Sequence, residues 1–190
     1  MERNLTHIAL FAALVAILGF VPQITLAGGV PITAQSLGIM LCGTVLGARR
    51  GALAVLLFLA LVAAGLPLLS GGRGGIGVFA GPSVGYIIGF PIAAFAAGWI
   101  MERTTMAVGL AAGAASVIGG IAVLYTFGIP GMAIMLDKTL PEAVMLGMAF
   151  LPGDVLKAVL AGFVTQGIAR MRPGSLLSRP EAGVSSEAYR

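Results

Sequence analysis

Long runs without charge decide the solvent in which this chain folds. Leu5–Val21, Ala34–Gly47, Gly51–Leu69, Pro82–Met101 and Thr105–Phe127 contain no Asp, Glu, Lys or Arg. Soluble domains are about one quarter charged, whereas this chain of 190 residues is 9% charged and 58% hydrophobic, with a mean hydropathy of +1.05. So little polar surface cannot cover a water-soluble fold, and the chain reads as an integral membrane protein. A spanning helix takes about 20 residues, which leaves room for six spans and no soluble domain. The 29 glycines suit helices that pack closely in a membrane.

The apolar stretch from Leu5 to Val21 exceeds a signal-peptide core of about 7–15 residues and reads as a retained first span. A turn-rich connection, "PQITLAGGVPIT", leads to the second span. Arg49 and Arg50 form a tight loop before the third. "SGGRGGIGVFAGP" is too glycine-rich for regular helix, and the fourth span starts near Pro82, a residue suited to a first helical turn. The fifth ends at Phe127, with "GIPGMAIMLDKTL" as a connection. Pro141–Met171 would be about 46 Å long as one helix, so a break is expected at Pro152–Gly153, where proline removes a backbone donor. That gives a surface helix over Pro141–Phe150 and a sixth span over Pro152–Arg170. The expected organisation is one six-helix transmembrane domain over 1–171 and a polar tail over 172–190, predicted to be disordered.

Six spans put Arg3, Arg49, Arg50, Arg103, Arg170 and Arg172 on one side, and Arg73 and Lys138 on the other. The positive-inside rule then makes both termini cytoplasmic in a multi-pass protein of the cell membrane. The net charge of +4 reflects these loop charges and does not suggest nucleic acid. The single cysteine, Cys42, lies in an apolar run and reads as a small buried hydrophobe.

The sixth span breaks the rule of uncharged helices. "LPGDVLKAV" brings Asp154 and Lys157 onto one helical face, with Asp154 in the first turn, where the helix dipole favours an anion. Charges inside a bundle mark substrate or ion pathways by default; a structural ion pair with a snorkelling lysine is the plainer alternative. Gln35, Arg73, Ser83 and Tyr86 are expected at the same outer face. Together they would give a carboxylate, an ammonium, an amide and a phenol over an apolar floor, the general make-up of a small-molecule site.

Several patterns carry no chemistry. "GPSVG" matches a hydrolase elbow, but the one histidine, His7, is expected at the opposite membrane face from Ser83. "GRGGIG" lacks the preceding strand and soluble α/β unit of a dinucleotide site. There is no G-x-x-x-x-G-K-[ST], so ATP hydrolysis by a P-loop is excluded, and one His with one Cys leaves little for a transition metal. The chain is expected to be neither an enzyme nor cofactor-dependent. Small residues four apart recur, including Ala9–Ala13 and Ala12–Ala16 in span one. They serve either intramolecular packing or the docking of another membrane subunit.

Three stretches, "GGVPITAQSLGIMLCGTVLG", "GLPLLSGGRGGIGVFAGPSVGYIIGF" and "FLPGDVLKAVLAG", resemble the BioY family, the biotin-specific substrate-binding subunits of energy-coupling factor transporters. The resemblance runs from span one to span six. It implies a six-helix bundle with both termini inside and biotin held near the outer face as cargo. By the family pattern Asp154 and Lys157 contact biotin, and Gly81, Tyr86 and their neighbours line the pocket. An alanine-rich first helix, matching Ala9 and Ala13, would dock a transmembrane coupling subunit, energised by ATP-binding-cassette ATPases in trans. Some members carry a pocket asparagine in the third–fourth connection; none occurs here, and Arg73 is a possible replacement. The competing reading is a small secondary transporter or ion-coupled carrier using Asp154.

Overall fold

A computed structural model describes residues 2–25 and 31–179. Expectations placed on residues 26–30 of the first connection and 180–190 of the tail lie outside the described residues. The fold is helical. Its helices are α1 (Glu2–Leu18), α2 (Gln35–Leu46), α3 (Ala48–Ala63), α4 (Val84–Arg103), α5 (Val108–Val117), α6 (Leu124–Met135), α7 (Leu140–Met148) and α8 (Leu151–Met171). Two-residue strands β1 (Ile24–Thr25) and β2 (Pro31–Ile32) pair antiparallel between α1 and α2.

Val84–Arg103 and Val108–Met135 are each long and apolar enough to cross a membrane. The pair α7 and α8, bent by 52°, passes the same test as one unit. In these helices apolar side chains occupy exposed positions such as Leu110, Phe163 and Ile134, as expected where lipid, not water, is the solvent.

Small residues set the distances between helices. Gly43 on α2 lies so close to the Ala94 carbonyl and Ala97 on α4 that a Cβ would overlap them, and Gly98 lies as close to the Gly47–Ala48 backbone. α2 and α3 are joined by Gly47 alone, at φ +86°, a conformation that favours glycine. Arg49 and Arg50 therefore stand in the first turn of α3 and are not a loop. Glu102 Oε1 accepts the backbone N–H of Ala48 at 2.9 Å, meeting one free donor of that helix start.

Two further boundaries differ from the sequence expectation. The fifth helical unit does not stop at Phe127. It continues through a π-helical segment, Ile118–Val123, to Met135, with Pro130 inside it. Glycine and proline are turn signals where water can take the freed backbone groups; among apolar helices the ladder carries through. The break before α8 falls at Ala149–Phe150, and Pro152 is the second residue of α8, where a missing N–H costs nothing.

The tail departs from the expected disorder over 172–179. A 3₁₀ turn at Pro173–Ser175 leads to Leu176, which is 1% exposed. Ser178 N–H donates to Val45 O at 2.9 Å and its hydroxyl to Thr44 O. Arg179 Nε donates to Met101 O at 2.8 Å. These are carbonyls from the last turns of α2 and α4, which have no partner within their own helices.

Candidate functional site

Asp154 is 5% exposed in the first turn of α8. Its Oδ1 accepts from Lys157 Nζ at 2.9 Å and lies 3.2 Å from Ser36 Oγ on α2. Its Oδ2 accepts from Tyr125 Oη on α6 at 2.8 Å. Lys157 Nζ also donates to Ser36 Oγ at 2.9 Å. Three helices thus converge on one carboxylate. Desolvating two charges is tolerated only where good geometry and further hydrogen bonds compensate, and Ser36 and Tyr125 supply those bonds.

Beside this cluster is a cavity of about 70 Å³. Ile32 of β2 and Thr33 after it, Ser36, Asp154 and Lys157 form one part of its lining; Arg73, Ser83 and Tyr86 form another. Phe90, Leu124 and Phe150 provide apolar wall. A few convergent polar groups on an apolar surface are what a small-molecule site requires.

Tyr86 is fixed by packing. Its ring meets Tyr125 and Phe150 edge-on, with centroids 6.1 Å away in each case. It lies against Gly128, where any Cβ would overlap the ring. Its hydroxyl is buried and has no hydrogen-bond partner among the described residues. A buried unsatisfied hydroxyl costs about 1–3 kcal/mol, a cost removed when a ligand supplies the partner.

Arg73 Nε donates to Ser70 O at 3.2 Å and Nη1 to Ser83 Oγ at 3.3 Å. Burial lowers the Arg73 pKa from its ordinary value. The guanidinium has lost water without gaining a carboxylate among the described residues. The sequence reading of Arg73, Ser83, Tyr86, Asp154 and Lys157 as one group therefore matches where these side chains lie.

Gln35 also lines the cavity, but its amide is spent elsewhere. Nε2 donates to Val15 O at 3.2 Å and Leu68 O at 3.0 Å, and Oε1 accepts from Ser70 N at 3.0 Å. Both donors are used to tie α1 and the α3–α4 connection to α2, so it is a positioning residue. Gly81 ends the 3₁₀ turn Ile76–Ala80 and is not among the residues lining the cavity. Ser36, Tyr125 and Phe150 were not singled out from sequence. Ser36 looks like an ordinary polar residue at a helix start, and Tyr125 lies inside an apolar span. The one available signal was that a buried Tyr hydroxyl needs a partner.

The alanines of α1 divide. Ala9 and Ala13 are exposed, whereas Ala12 is 2% exposed in the core beside Val15 and Ala16 is half-buried. A helical face is one stripe wide, so Ala12 points inward while Ala9 and Ala13 point out.

The model of the BioY family matches residues 2–174. The biotin transporter BioY of Rhodobacter capsulatus is 52% identical over 189 residues, covering 94% of this chain and 100% of that protein. The biotin transporter BioY of Rhizobium etli is 48% identical over 177 residues, covering 87% and 92%. A crystal structure of the S-component for biotin from an ECF-type ABC transporter superposes with a TM-score of 0.84 at 32% identity, covering 90% of this chain and 92% of the other. With family match, relatives and fold all agreeing, this chain belongs to the BioY family.

Proposed function

We propose that this chain is the biotin-binding subunit of an energy-coupling factor transporter. It captures biotin at the outer face of the cell membrane and hands it inward with energy supplied in trans. The observation that carries this reading is the Asp154–Lys157–Ser36 cluster set in the wall of a largely apolar cavity, with Tyr125 bonded to Asp154 from behind the lining. Asp154 accepts ureido N–H groups. The unpartnered Tyr86 hydroxyl and Lys157 meet the ureido carbonyl or the valerate carboxylate. One carboxylate and two cations, Arg73 and Lys157, leave the lining with one net positive charge, which suits a monoanion. Charge-assisted hydrogen bonds away from water are the strong kind.

In this reading the chain has six spans with both termini cytoplasmic, supported by the arginines at the ends of α3, α4 and α8. The exposed Ala9–Ala13 stripe of α1 docks the coupling subunit, and ATP-binding-cassette ATPases act through that subunit because this sequence carries no P-loop. An ion-coupled carrier centred on Asp154 is less well supported, since the Lys157 ammonium, 2.9 Å from Oδ1, already neutralises the carboxylate that a coupling cation would need.

Equilibrium binding of biotin to the purified chain in detergent tests the reading. Saturable binding that Asp154→Ala or Lys157→Ala weakens by about 1.5–3 kcal/mol, the scale of a hydrogen bond to a charged group, is expected. Absence of saturable binding by the parent chain overturns it.

A further inference from the structure

A second cavity, of about 550 Å³, lies at the far end of α4 from Tyr86. Arg49 and Arg50 from the start of α3, and Phe95, Trp99, Glu102 and Arg103 from the end of α4, supply its side chains. Three guanidiniums face one carboxylate, and that carboxylate already caps Ala48 N–H. Arg50 Nη1 lies 3.4 Å from Leu46 O and 3.3 Å from Leu177 O. Arg49 and Arg103 have neither a hydrogen bond nor an ion pair among the described residues; Arg103 instead sits over the Trp99 ring, 4.3 Å from its centroid.

The apolar part of this cavity continues along the helices. Ile88, Ile92, Phe95 and Trp99 are exposed at intervals of four, three and four residues, so they form one stripe on α4 that ends at Arg103. On α3, Leu53 and Leu56 are exposed four and seven positions after Arg49. A cationic recess at one end of a long apolar face fits a molecule with an anionic head and a hydrocarbon tail. Basic pockets between membrane helices on the cytoplasmic side bind anionic lipid headgroups.

We propose that the recess between the start of α3 and the end of α4 is a binding site for an anionic phospholipid, its phosphate held by Arg49 and Arg103 and an acyl chain lying along Phe95 and Trp99. The site is separate from the ligand cavity and does not depend on the identity of the cargo.

Trp99 is the only tryptophan of the chain, so its fluorescence reports this site alone. The full chain is reconstituted in vesicles of phosphatidylcholine and phosphatidylglycerol, with bromine on the acyl chains of one lipid or the other. Brominated phosphatidylglycerol should quench Trp99 as though locally enriched at least about fivefold over its mole fraction, the ratio that one basic residue at a membrane surface is worth. Arg49→Gln with Arg103→Gln should bring quenching by the two lipids to parity while biotin binding, the check on folding, persists. Excess inorganic phosphate should leave the preference unchanged. Equal quenching by the two brominated lipids in the parent chain overturns the proposal without need of any variant. Loss of the preference on adding phosphate also overturns it, assigning the recess to a free anion.

Discussion

Tyr125 Oη donates to Asp154 Oδ2 at 2.8 Å across 29 positions of sequence. Neither residue is near the other in the chain; α6 and α8 bring them together, and with Lys157 and Ser36 both on Oδ1 the contact leaves Oδ2, with one donor, as the oxygen able to accept a further bond. Tyr125→Phe keeps the ring that packs edge-on against Tyr86 and removes only the donor. Biotin affinity measured by calorimetry in detergent should fall by about 1.5–3 kcal/mol, the range for a hydrogen bond to a charged group. An unchanged affinity would mean that Oδ2 plays no part in presenting the carboxylate.

The Asp154–Lys157 pair should be more costly to break than to delete. The two side chains are 8% and 14% exposed. Lys157→Met leaves a buried carboxylate without its cation, a change worth about 3–5 kcal/mol in comparable settings, whereas replacing both partners with neutral groups is often nearly neutral. In thermal unfolding in detergent without ligand, the double variant Asp154→Asn, Lys157→Met should therefore melt above Lys157→Met alone. The reverse order would show that the two charges are not coupled in the free protein.

Tyr86 offers a test with opposite signs for stability and binding. Its hydroxyl is buried without a partner among the described residues. Removing an unsatisfied polar atom relieves a penalty, so Tyr86→Phe should leave the unliganded protein as stable as the parent or more so, and should lower biotin affinity about tenfold or more. Gly128→Ala should harm both, because the new methyl overlaps the Tyr86 ring and overpacking costs about 1–3 kcal/mol. Melting temperature and affinity measured on the same samples separate the two outcomes.

The site was legible in sequence where a residue type is itself out of place. Asp154 and Lys157 stand out because charge is rare in the spans, and the spacing of three fixes their common face. Ser36 and Tyr125 are ordinary in their local setting and join the Asp154 cluster only through packing of α2, α6 and α8. The fold was legible to the extent that hydropathy governs it. The α3 start at Ala48 was hidden because arginines in a first turn look like loop, and the continuation to Met135 was hidden because Gly128, Pro130 and Gly131 resemble a turn. Packing overrides both: Gly128 receives the Tyr86 ring and Gly131 the backbone of Gly85.

Docking of a coupling subunit should depend on the outward half of α1 alone. Ala9 and Ala13 are exposed and Ala12 is buried. Ala9→Leu with Ala13→Leu blocks close approach of a second helix, which small residues permit. It should abolish co-purification with the coupling subunit while biotin affinity stays at the parent value. Retained co-purification would move the interface to another helix.

The segment after α8 should stabilise the bundle without touching the ligand. Ser178 caps carbonyls at the end of α2, and Arg179 donates to Met101 O at the end of α4 and to Met106 O at 2.7 Å in the turn that follows. Leu176 fills the core between them. Ending the chain at Arg172 removes all of these and leaves orphan carbonyls behind. Each net hydrogen bond is worth about 0.5–1.5 kcal/mol, and a buried leucine about 1.5–3 kcal/mol. The shortened chain should melt clearly below the parent yet bind biotin with parent affinity at a temperature where both are folded. Ending it instead after Arg179 retains every one of these contacts and should melt above the chain ended at Arg172. If the two truncations melt alike, the carbonyl caps and Leu176 contribute nothing to stability.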